Sequence, residues 1–268
     1  HTTAAVLYQT FGMGSSLHDF TVWFPTVISS LTAIVIFALV RTIGGTTAGF
    51  LASLFFAISP IIIMRGSMGW FKSEPLGLFY GLLAVYLLLS AIKSDKGKVS
   101  VAKIVGGGIL LAFGLASWGG VQFFILPIGL FFLALPFMRK DHKFIIWISV
   151  IFTIVFLLVN ASLDYLVLSS SLDQTSSSAT LAHLILTIPS SLNGIFLIGC
   201  TAFLVVCIII RRTLSKAQLR SGLALLGGTV IAGIAVISSG AISLPSFRYL
   251  NAANPLLITT DMLTDSVS

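Results

Sequence analysis

The fold is decided by the stretch AGFLASLFFAISPIIIMRGSMGWFKSEPLGLFYGL, residues 48–82, in which a short polar segment separates two long apolar runs. The run before the polar segment is long enough to cross a membrane as a helix, and so is the run that begins at Pro75. The polar segment contains Glu74, the only glutamate of the chain. The stretch therefore predicts two membrane-spanning helices joined by a charged connection at one face of the bilayer.

The composition of the whole chain agrees with this prediction. Hydrophobic residues make up 57% of the chain and charged residues 9%, and the mean hydropathy is +1.08. Soluble domains carry about 25% charged residues. The chain is therefore predicted to be an all-α polytopic protein of the lipid bilayer. Its net charge of +7 is explained by loops beside anionic headgroups, so no nucleic-acid partner is expected.

About eight apolar segments are predicted to span the membrane, within one partial transmembrane domain that covers residues 1–268. The fourth segment is short, and its Gly106–Gly108 triplet favours close helix contact over exposure to lipid. The predicted spans are Val22–Val40, Ala48–Met64, Pro75–Ile92, Val101–Ala116, Val121–Phe137, Phe144–Asn160, Gly194–Ile210 and Ser221–Ser239.

The cations alternate between the gaps that separate these spans. Every second gap contains Lys or Arg, and only Arg65, Lys72 and Arg248 fall in the intervening gaps. Cytoplasmic loops of membrane proteins are enriched in Lys and Arg, so the alternation predicts the orientation of each span. The predicted cytoplasmic cations are Arg41, Lys93, Lys96, Lys98, Lys103, Arg139, Lys140, Lys143, Arg211, Arg212, Lys216 and Arg220.

The opposite, extracytoplasmic face is predicted to hold any chemistry. Its densest polar cluster lies between Arg65 and Pro75 and contains two of the three predicted external cations. Pro75 suits the first turn of a helix, which places Glu74 at the positive end of the helix dipole. Two interpretations remain open: a solvated loop that caps the helix, or a site for an anionic lipid headgroup with Glu74 as a metal ligand or a base. The pair His18-Asp19 is interpreted as part of a helix cap.

Three stretches resemble one family in order and in predicted sidedness. They are Ala48–Leu82, the SWGG of Ser117–Gly120 and the tail NPLLITTDMLTDSVS that ends at Ser268. Together they resemble the catalytic subunit of oligosaccharyltransferase in its archaeal form, within the C-type glycosyltransferase superfamily. The resemblance covers essentially the whole chain.

This resemblance implies transfer of a glycan from a dolichyl phosphate or diphosphate carrier to the Asn of an Asn-x-Ser/Thr sequon in an acceptor protein. It also implies a divalent metal, Mg²⁺ or Mn²⁺, with Glu74 as one ligand. Arg65 would stabilise the phosphate leaving group, because a guanidinium matches phosphate oxygens. The other residues that the resemblance places near the lipid phosphate and the external loops are Lys72, Trp118, Ser266 and Ser268.

The sequence departs from the family at one motif position, where Lys72 stands in place of an acid and would repel a metal cation. The family's first acidic loop would lie before His1, its tail glutamate would be position 269, and its soluble acceptor-binding domain is not in the sequence. The chain is therefore interpreted as an internal fragment that is inactive alone. The resemblance places it in the plasma membrane of an archaeon, with its active face outside the cytoplasm.

Two alternatives to this function remain. Another polyprenyl-phosphate sugar transferase would share the topology and the external carboxylates, although the tail argues against it. The second alternative is a protein without transferase activity: a transporter, a scaffold or a non-catalytic paralogue. Transporters usually carry ionisable residues at the membrane midplane, and the eight predicted spans lack them there, which weighs against transport.

Overall fold

The computed structural model describes residue 8 and residues 16–66, 68–69, 71–94, 97–138, 142–169, 192–213 and 227–228. All regular secondary structure within these residues is helical, and six of the helices are long and apolar enough to cross a membrane. The predicted all-α membrane fold is therefore confirmed. The helices are α1 (Leu17–Ile58), α2 (Pro60–Arg65), α3 (Glu74–Lys93), α4 (Lys98–Ser117), α5 (Gln122–Met138), α6 (His142–Ser169) and α7 (Leu192–Thr213), with a 3₁₀ turn at Gly119–Val121.

Helix α1 is a hairpin of the first predicted span and most of the second. It folds back at Gly45, whose φ of 87° lies in the left-handed region that favours glycine. A Cβ atom on Gly49 would lie 2.8 Å from the carbonyl oxygen of Phe37, so the two arms are in close contact. The described helices thus contain seven of the eight predicted spans. The eighth, Ser221–Ser239, lies outside the described residues except for Gly227 and Gly228.

The second predicted span is broken at Ser59-Pro60. Because proline disfavours the helical region for the residue before it, Ser59 is extended with a ψ of 123°, and α1 ends at Ile58. Pro60 then begins α2, a position where its missing N–H costs little. The break makes Arg65 the last residue of a short separate helix.

The polar residues before α1 form the predicted cap. The Oγ of Ser16 accepts a hydrogen bond from the backbone N–H of Asp19 at 3.1 Å and donates one to its carboxylate at 2.8 Å. His18 contributes no hydrogen bond to this cap. The cap interpretation of His18-Asp19 is therefore confirmed, with Ser16 as the capping residue.

Helices α3, α4 and α6 pack closely because glycines remove side chains from the contact. Cβ atoms on Gly107 and Gly108 would lie 3.2 Å from a ring carbon of Phe152 and 3.1 Å from its carbonyl oxygen, respectively. Association of helices in lipid depends on such packing, since lipid tails are as apolar as the side chains. The predicted role of the Gly106–Gly108 triplet is confirmed for Gly107 and Gly108.

Helix α6 continues beyond the predicted end of its span. The sequence placed the end at Asn160, but the helix runs to Ser169. Its polar residues are satisfied inside the helix: the Asn160 amide donates to Asp164 at 3.2 Å and the Ser162 hydroxyl to the Leu158 carbonyl at 2.8 Å. The gap after the sixth predicted span, residues 161–193, therefore begins as helix. The sequence of this gap also predicts a short interfacial helix at Leu181–Ile188, which lies outside the described residues.

The chain divides into two compact units, His1–Val205 and Val206–Ser268. All of α1 to α6 and the first part of α7 belong to the first unit. There α7 bonds to α6 through the hydroxyls of Thr201 and Thr153, which lie 2.8 Å apart and are buried. The described part of the second unit is the end of α7 and Gly227–Gly228.

Candidate functional site

An ion pair joins Arg65, at the end of α2, to Glu74, at the start of α3. The Nη1 of Arg65 donates a hydrogen bond to Oε2 of Glu74. The Arg65 side chain is half exposed, and that of Glu74 is about a quarter exposed. The hydrogen bond and the negative charge of Glu74 raise the pKa of the Arg65 guanidinium above its usual value, so the guanidinium stays a cation at this surface.

The segment between the two residues is anchored on the first arm of α1. The Thr26 hydroxyl donates to the Gly66 carbonyl at 3.2 Å, and the N–H of Gly69 donates to the Val22 carbonyl at 3.2 Å. Gly69 has a φ of 82° and Gly66 packs on Ser29, where a Cβ would lie 2.3 Å from the hydroxyl oxygen. These contacts return the chain toward α3 and bring Arg65 to Glu74.

Trp118 covers the same end of α3. It ends α4, with its N–H bonded to the Gly114 carbonyl at 2.9 Å. Its Cβ would lie 2.6 Å from a Cβ on Gly77, so a side chain at that position is excluded by the packing. Glycine at position 77 therefore allows the tryptophan to lie against α3.

Arg65, Glu74 and Trp118 together line one cavity of about 280 Å³. Phe56, Ile62 and Leu78 are among the apolar residues that complete its wall, with Ser29 and Thr32 as polar ones. The Glu74 carboxylate begins α3, where the helix dipole favours negative charge. The cavity thus offers a cation, a carboxylate and an apolar wall at a helix amino end, which suits a ligand with a phosphate and an apolar part.

The structure brings together three of the six residues predicted for the site. Lys72 is exposed in the segment between α2 and α3 and does not line this cavity. Ser266 and Ser268 lie outside the described residues. Sequence reasoning missed Ser29, Thr26 and Gly77, which shape the site from α1 and α3. Their small size was the only available signal, and small residues are common in every span.

The described residues do not by themselves form a metal site. They contain no group of three or more His, Cys, Asp or Glu side chains close enough to hold an ion. Glu74, the ligand expected from the sequence, is bonded to Arg65. The described part of the chain therefore supplies one carboxylate at this cavity, which is too few donors to hold a divalent cation by itself.

The geometry of the site does not specify a protein family, but a comparison with protein-family models does. The model described as "Oligosaccharyl transferase STT3, N-terminal" matches residues 2–260, which is nearly the whole chain. The chain belongs to the STT3 oligosaccharyltransferase family. The resemblance read from the three sequence stretches is therefore confirmed, and the family is one of glycosyltransferases.

Solved structures agree with this family. The oligosaccharyltransferase of Archaeoglobus fulgidus in complex with Zn and sulfate has a TM-score of 0.63 and 18% identity, over 94% of this chain and 33% of that one. The archaeal oligosaccharyltransferase AglB of the same organism, with an inhibitory peptide and a dolichol-phosphate, has a TM-score of 0.61 and 17% identity, over 95% and 30%. The A. fulgidus enzyme tethered to an acceptor peptide with an NVT sequon has 0.61 and 19%, over 89% and 30%.

At this identity the likeness to solved structures establishes the fold alone. The STT3 chain spans about a third of the length of the proteins it matches, and the described part shares the architecture of their membrane-embedded region. It is therefore the transmembrane portion of an oligosaccharyltransferase-type protein.

Proposed function

We propose that this chain is the transmembrane part of an oligosaccharyltransferase that moves a glycan from a dolichyl phosphate or diphosphate to the Asn of an Asn-x-Ser/Thr sequon. The observation that carries the proposal is the cavity that Arg65, Glu74 and Trp118 share at the amino end of α3 in a member of the STT3 family. The proposal gives these residues the roles of phosphate binding, acid–base chemistry and substrate contact.

Arg65 would bind the lipid phosphate and stabilise the negative charge that grows on it as the glycan leaves. A guanidinium offers two N–H donors to two phosphate oxygens, and its charge is already held at the cavity by Glu74. An incoming phosphate competes with Glu74 for Arg65 and so releases the carboxylate. The freed Glu74 oxygen can then accept a hydrogen bond from the acceptor amide, which is a weak nucleophile.

Trp118 and the apolar residues of the cavity would exclude water around the lipid phosphate. Lower water content strengthens the interaction between Arg65 and the phosphate. Lys72, exposed two residues before Glu74, adds a second positive charge at the entrance of the same region. The tail serines Ser266 and Ser268 belong to the proposal as substrate contacts, on the resemblance alone.

A divalent metal, Mg²⁺ or Mn²⁺, is also part of the proposal, with Glu74 as its ligand from the described residues. Such an ion would neutralise the phosphate charge when bound. The remaining ligands would come from segments outside the described residues, because Glu74 alone is too few. For the same reason the complete activity, including acceptor binding, is proposed for a longer protein and not for these 268 residues alone.

The site is proposed to face the outside of the plasma membrane of an archaeal cell. The support is the separation of charges: Glu74 begins α3, and Lys93 ends it 19 residues later, which is about 28 Å along a helix. Predicted cytoplasmic cations and the candidate site therefore lie at opposite ends of one membrane helix. The rule that cations accumulate on the cytoplasmic side then assigns the candidate site to the other face.

The experiment that tests this function uses the full-length protein that contains this chain, purified with a dolichyl-linked glycan and an Asn-x-Thr peptide. We expect transfer to that peptide, none to a Gln-x-Thr peptide, and a loss of about 100-fold in Glu74→Gln, the lower end of the effect of one acid–base group. Transfer to lipid or to Ser/Thr would instead support the other polyprenyl-phosphate transferase. Wild-type protein without any transfer would support the non-catalytic alternatives.

A further inference from the structure

A second cavity lies at the other end of α3, far from Glu74. It measures about 400 Å³ and is lined by three cations from three different helices: Arg41 of α1, Lys93 of α3 and Lys103 of α4. Tyr86 and Ser90 of α3 add hydroxyl groups to its wall, and Phe37 and Ala38 add apolar surface. Positive charges that are distant in sequence thus converge on one space between membrane helices.

Each cation is held by a neutral partner. The Nζ of Lys93 donates to the Thr42 carbonyl at 2.7 Å, and the Nζ of Lys103 donates to the Ser90 hydroxyl at 2.8 Å. The guanidinium of Arg41 lies 5.9 Å from the centre of the Phe37 ring. These contacts fix the positions of the charges but leave them positive.

The cavity wall contains no carboxylate among the described residues, and none of the three cations forms an ion pair with a carboxylate in that part of the chain. Three positive charges facing one cavity repel one another and attract an anion. The hydrogen bonds to Thr42 and Ser90 still leave each ammonium group two further N–H donors. An anion with several acceptor oxygens would satisfy these donors and offset the repulsion.

We propose that this cavity binds a phosphate group, supplied by the headgroup of an anionic phospholipid in the adjoining leaflet. Basic pockets between membrane helices on the cytoplasmic side suit such headgroups, and the positive-inside pattern assigns this end of α3 to that side. The apolar surface of Phe37 and Ala38 continues the cavity toward the region of the lipid chains. This site goes beyond the proposed transfer function, since it lies about 28 Å along α3 from Glu74.

The test measures how tightly phosphatidylglycerol is retained by the full-length protein in neutral detergent, by native mass spectrometry, with phosphatidylcholine as the neutral lipid. The double variant K93Q/K103Q removes two charges while the amides keep hydrogen-bond donors for Thr42 and Ser90. We expect phosphatidylglycerol binding to weaken about fivefold for each cation removed and binding of phosphatidylcholine to stay the same.

The matched control is K98Q, which removes one charge from the same helix as Lys103 at an exposed residue that does not line the cavity. We expect this variant to bind phosphatidylglycerol like the wild type. An equal loss in K98Q would mean that diffuse surface charge attracts the lipid, and it would overturn the site. Unchanged binding in the folded double variant would overturn it too.

Two further measurements keep the result interpretable. The variant K93R/K103R retains both charges and should retain binding, and it serves as the reference if K93Q/K103Q does not give a monodisperse protein.

Competition with millimolar inorganic phosphate distinguishes the sources of the phosphate group. Retention of the lipid in its presence supports the headgroup, whereas displacement assigns the cavity to free phosphate and overturns the lipid as its occupant. Glycan transfer is not a readout in any arm, so failure here leaves the proposed transfer function standing.

Discussion

Both ends of α3 carry cations, and the two ends differ in what faces those cations. At the amino end, Arg65 is paired with Glu74, beside an aromatic wall formed by Trp118. At the carboxyl end, within the described residues, Lys93 bonds to a carbonyl and Lys103 to a hydroxyl, and Arg41 lies over a phenyl ring. The cation that lines the amino-end cavity is therefore paired with a carboxylate, whereas the three cations at the carboxyl end are open to an external anion.

This difference indicates what each end is suited to do. A paired cation and carboxylate can exchange partners when a charged substrate arrives, so the amino end can bind a phosphate and release a base in the same event. Unpaired cations can only attract, so the carboxyl end is suited to retain an anion without chemistry. The presence of one carboxylate, Glu74, separates a candidate reactive site from a candidate anchoring site.

The largest expected effect comes from Arg65→Gln. In the full-length protein this substitution removes the charge proposed to stabilise the phosphate leaving group, and we expect glycan transfer to fall by at least about 100-fold. The measurement is the initial rate of transfer to an Asn-x-Thr peptide. Phosphatidylglycerol retention at the other end of α3 should not change, which would show that the two ends act separately.

The control for this substitution is Lys98→Gln, which also removes one positive charge but from an exposed position outside both cavities. Its transfer rate should match that of the wild type. A transfer rate for Arg65→Gln close to that of Lys98→Gln would show that Arg65 does not take part in the proposed chemistry. The amino end of α3 would then not differ in function from the carboxyl end in the way proposed.

The ends of α3 were predictable because each depends on local sequence. Pro75 marks the start of the helix and Glu74 its first residue, and the alternation of cations places Lys93 at the opposite end. The break at Ser59-Pro60 is also a local signal, although the sequence analysis carried the span through to Met64. The helix ended early because proline acts on the residue before it.

The partners of these charges were not predictable. Arg65 meets Glu74 because Gly66 packs on Ser29 and Thr26 bonds to Gly66, contacts that join residues about 40 positions apart. The carboxyl-end cavity depends in turn on the first arm of α1, whose Thr42 carbonyl accepts a hydrogen bond from Lys93, 51 positions away. Contacts between distant segments depend on helix register, and neither charge alternation nor hydropathy specifies register.

The end of α6 differs from the predicted end of the sixth span for another reason. The sequence analysis ended the sixth predicted span at Asn160, so Asp164 fell in the gap after it. Within a helix their side chains lie one turn apart and bond to each other, so polarity did not end the helix. Polar residues mark the membrane edge more reliably than they mark the end of a helix.

The second-largest effect is expected from Gly77→Ala. This substitution changes the shape of the site at the amino end of α3 without changing its charge. The new methyl group would meet Trp118, whose Cβ lies 2.6 Å from that position, so we expect a loss of about 1–3 kcal/mol in the free energy of unfolding. Thermal or denaturant unfolding in detergent measures it. Glycan transfer should fall as Trp118 shifts, while phosphatidylglycerol retention stays at the wild-type level.

Gly199→Ala in α7 is the matched control, because nothing lies within 4 Å of a Cβ at that residue. Alanine there should be neutral or stabilising by up to about 1 kcal/mol, the helix preference over glycine. If Gly77→Ala were as stable as Gly199→Ala, the close contact between α3 and Trp118 would not contribute to the shape of the site.

Lys72→Asp adds a second carboxylate at the amino end and so increases the contrast between the ends. The change removes a positive charge two residues from Glu74 and supplies a negative one, and we expect Mn²⁺ affinity to rise by roughly tenfold, with metal-dependent transfer rising as well. Electron paramagnetic resonance of bound Mn²⁺ measures the affinity directly. Lys98→Asp is the same substitution at the other end and should give no increase; an equal increase there would mean that net charge alone attracts the ion.

The smallest expected effect lies away from α3, at the neutral contact between Thr153 of α6 and Thr201 of α7. The Thr201 hydroxyl donates its only proton to the Leu197 carbonyl at 2.8 Å, so Thr153 must be the donor in the 2.8 Å contact between the hydroxyls. Thr153→Val removes that donor but keeps the shape, and such contacts between membrane helices contribute about 0.6 kcal/mol. A double-mutant cycle with Thr201→Val, measured by unfolding in detergent, isolates this value. A coupling energy of several kcal/mol would contradict the view that charges at the ends of α3, and not neutral contacts between membrane helices, dominate the electrostatics of this protein.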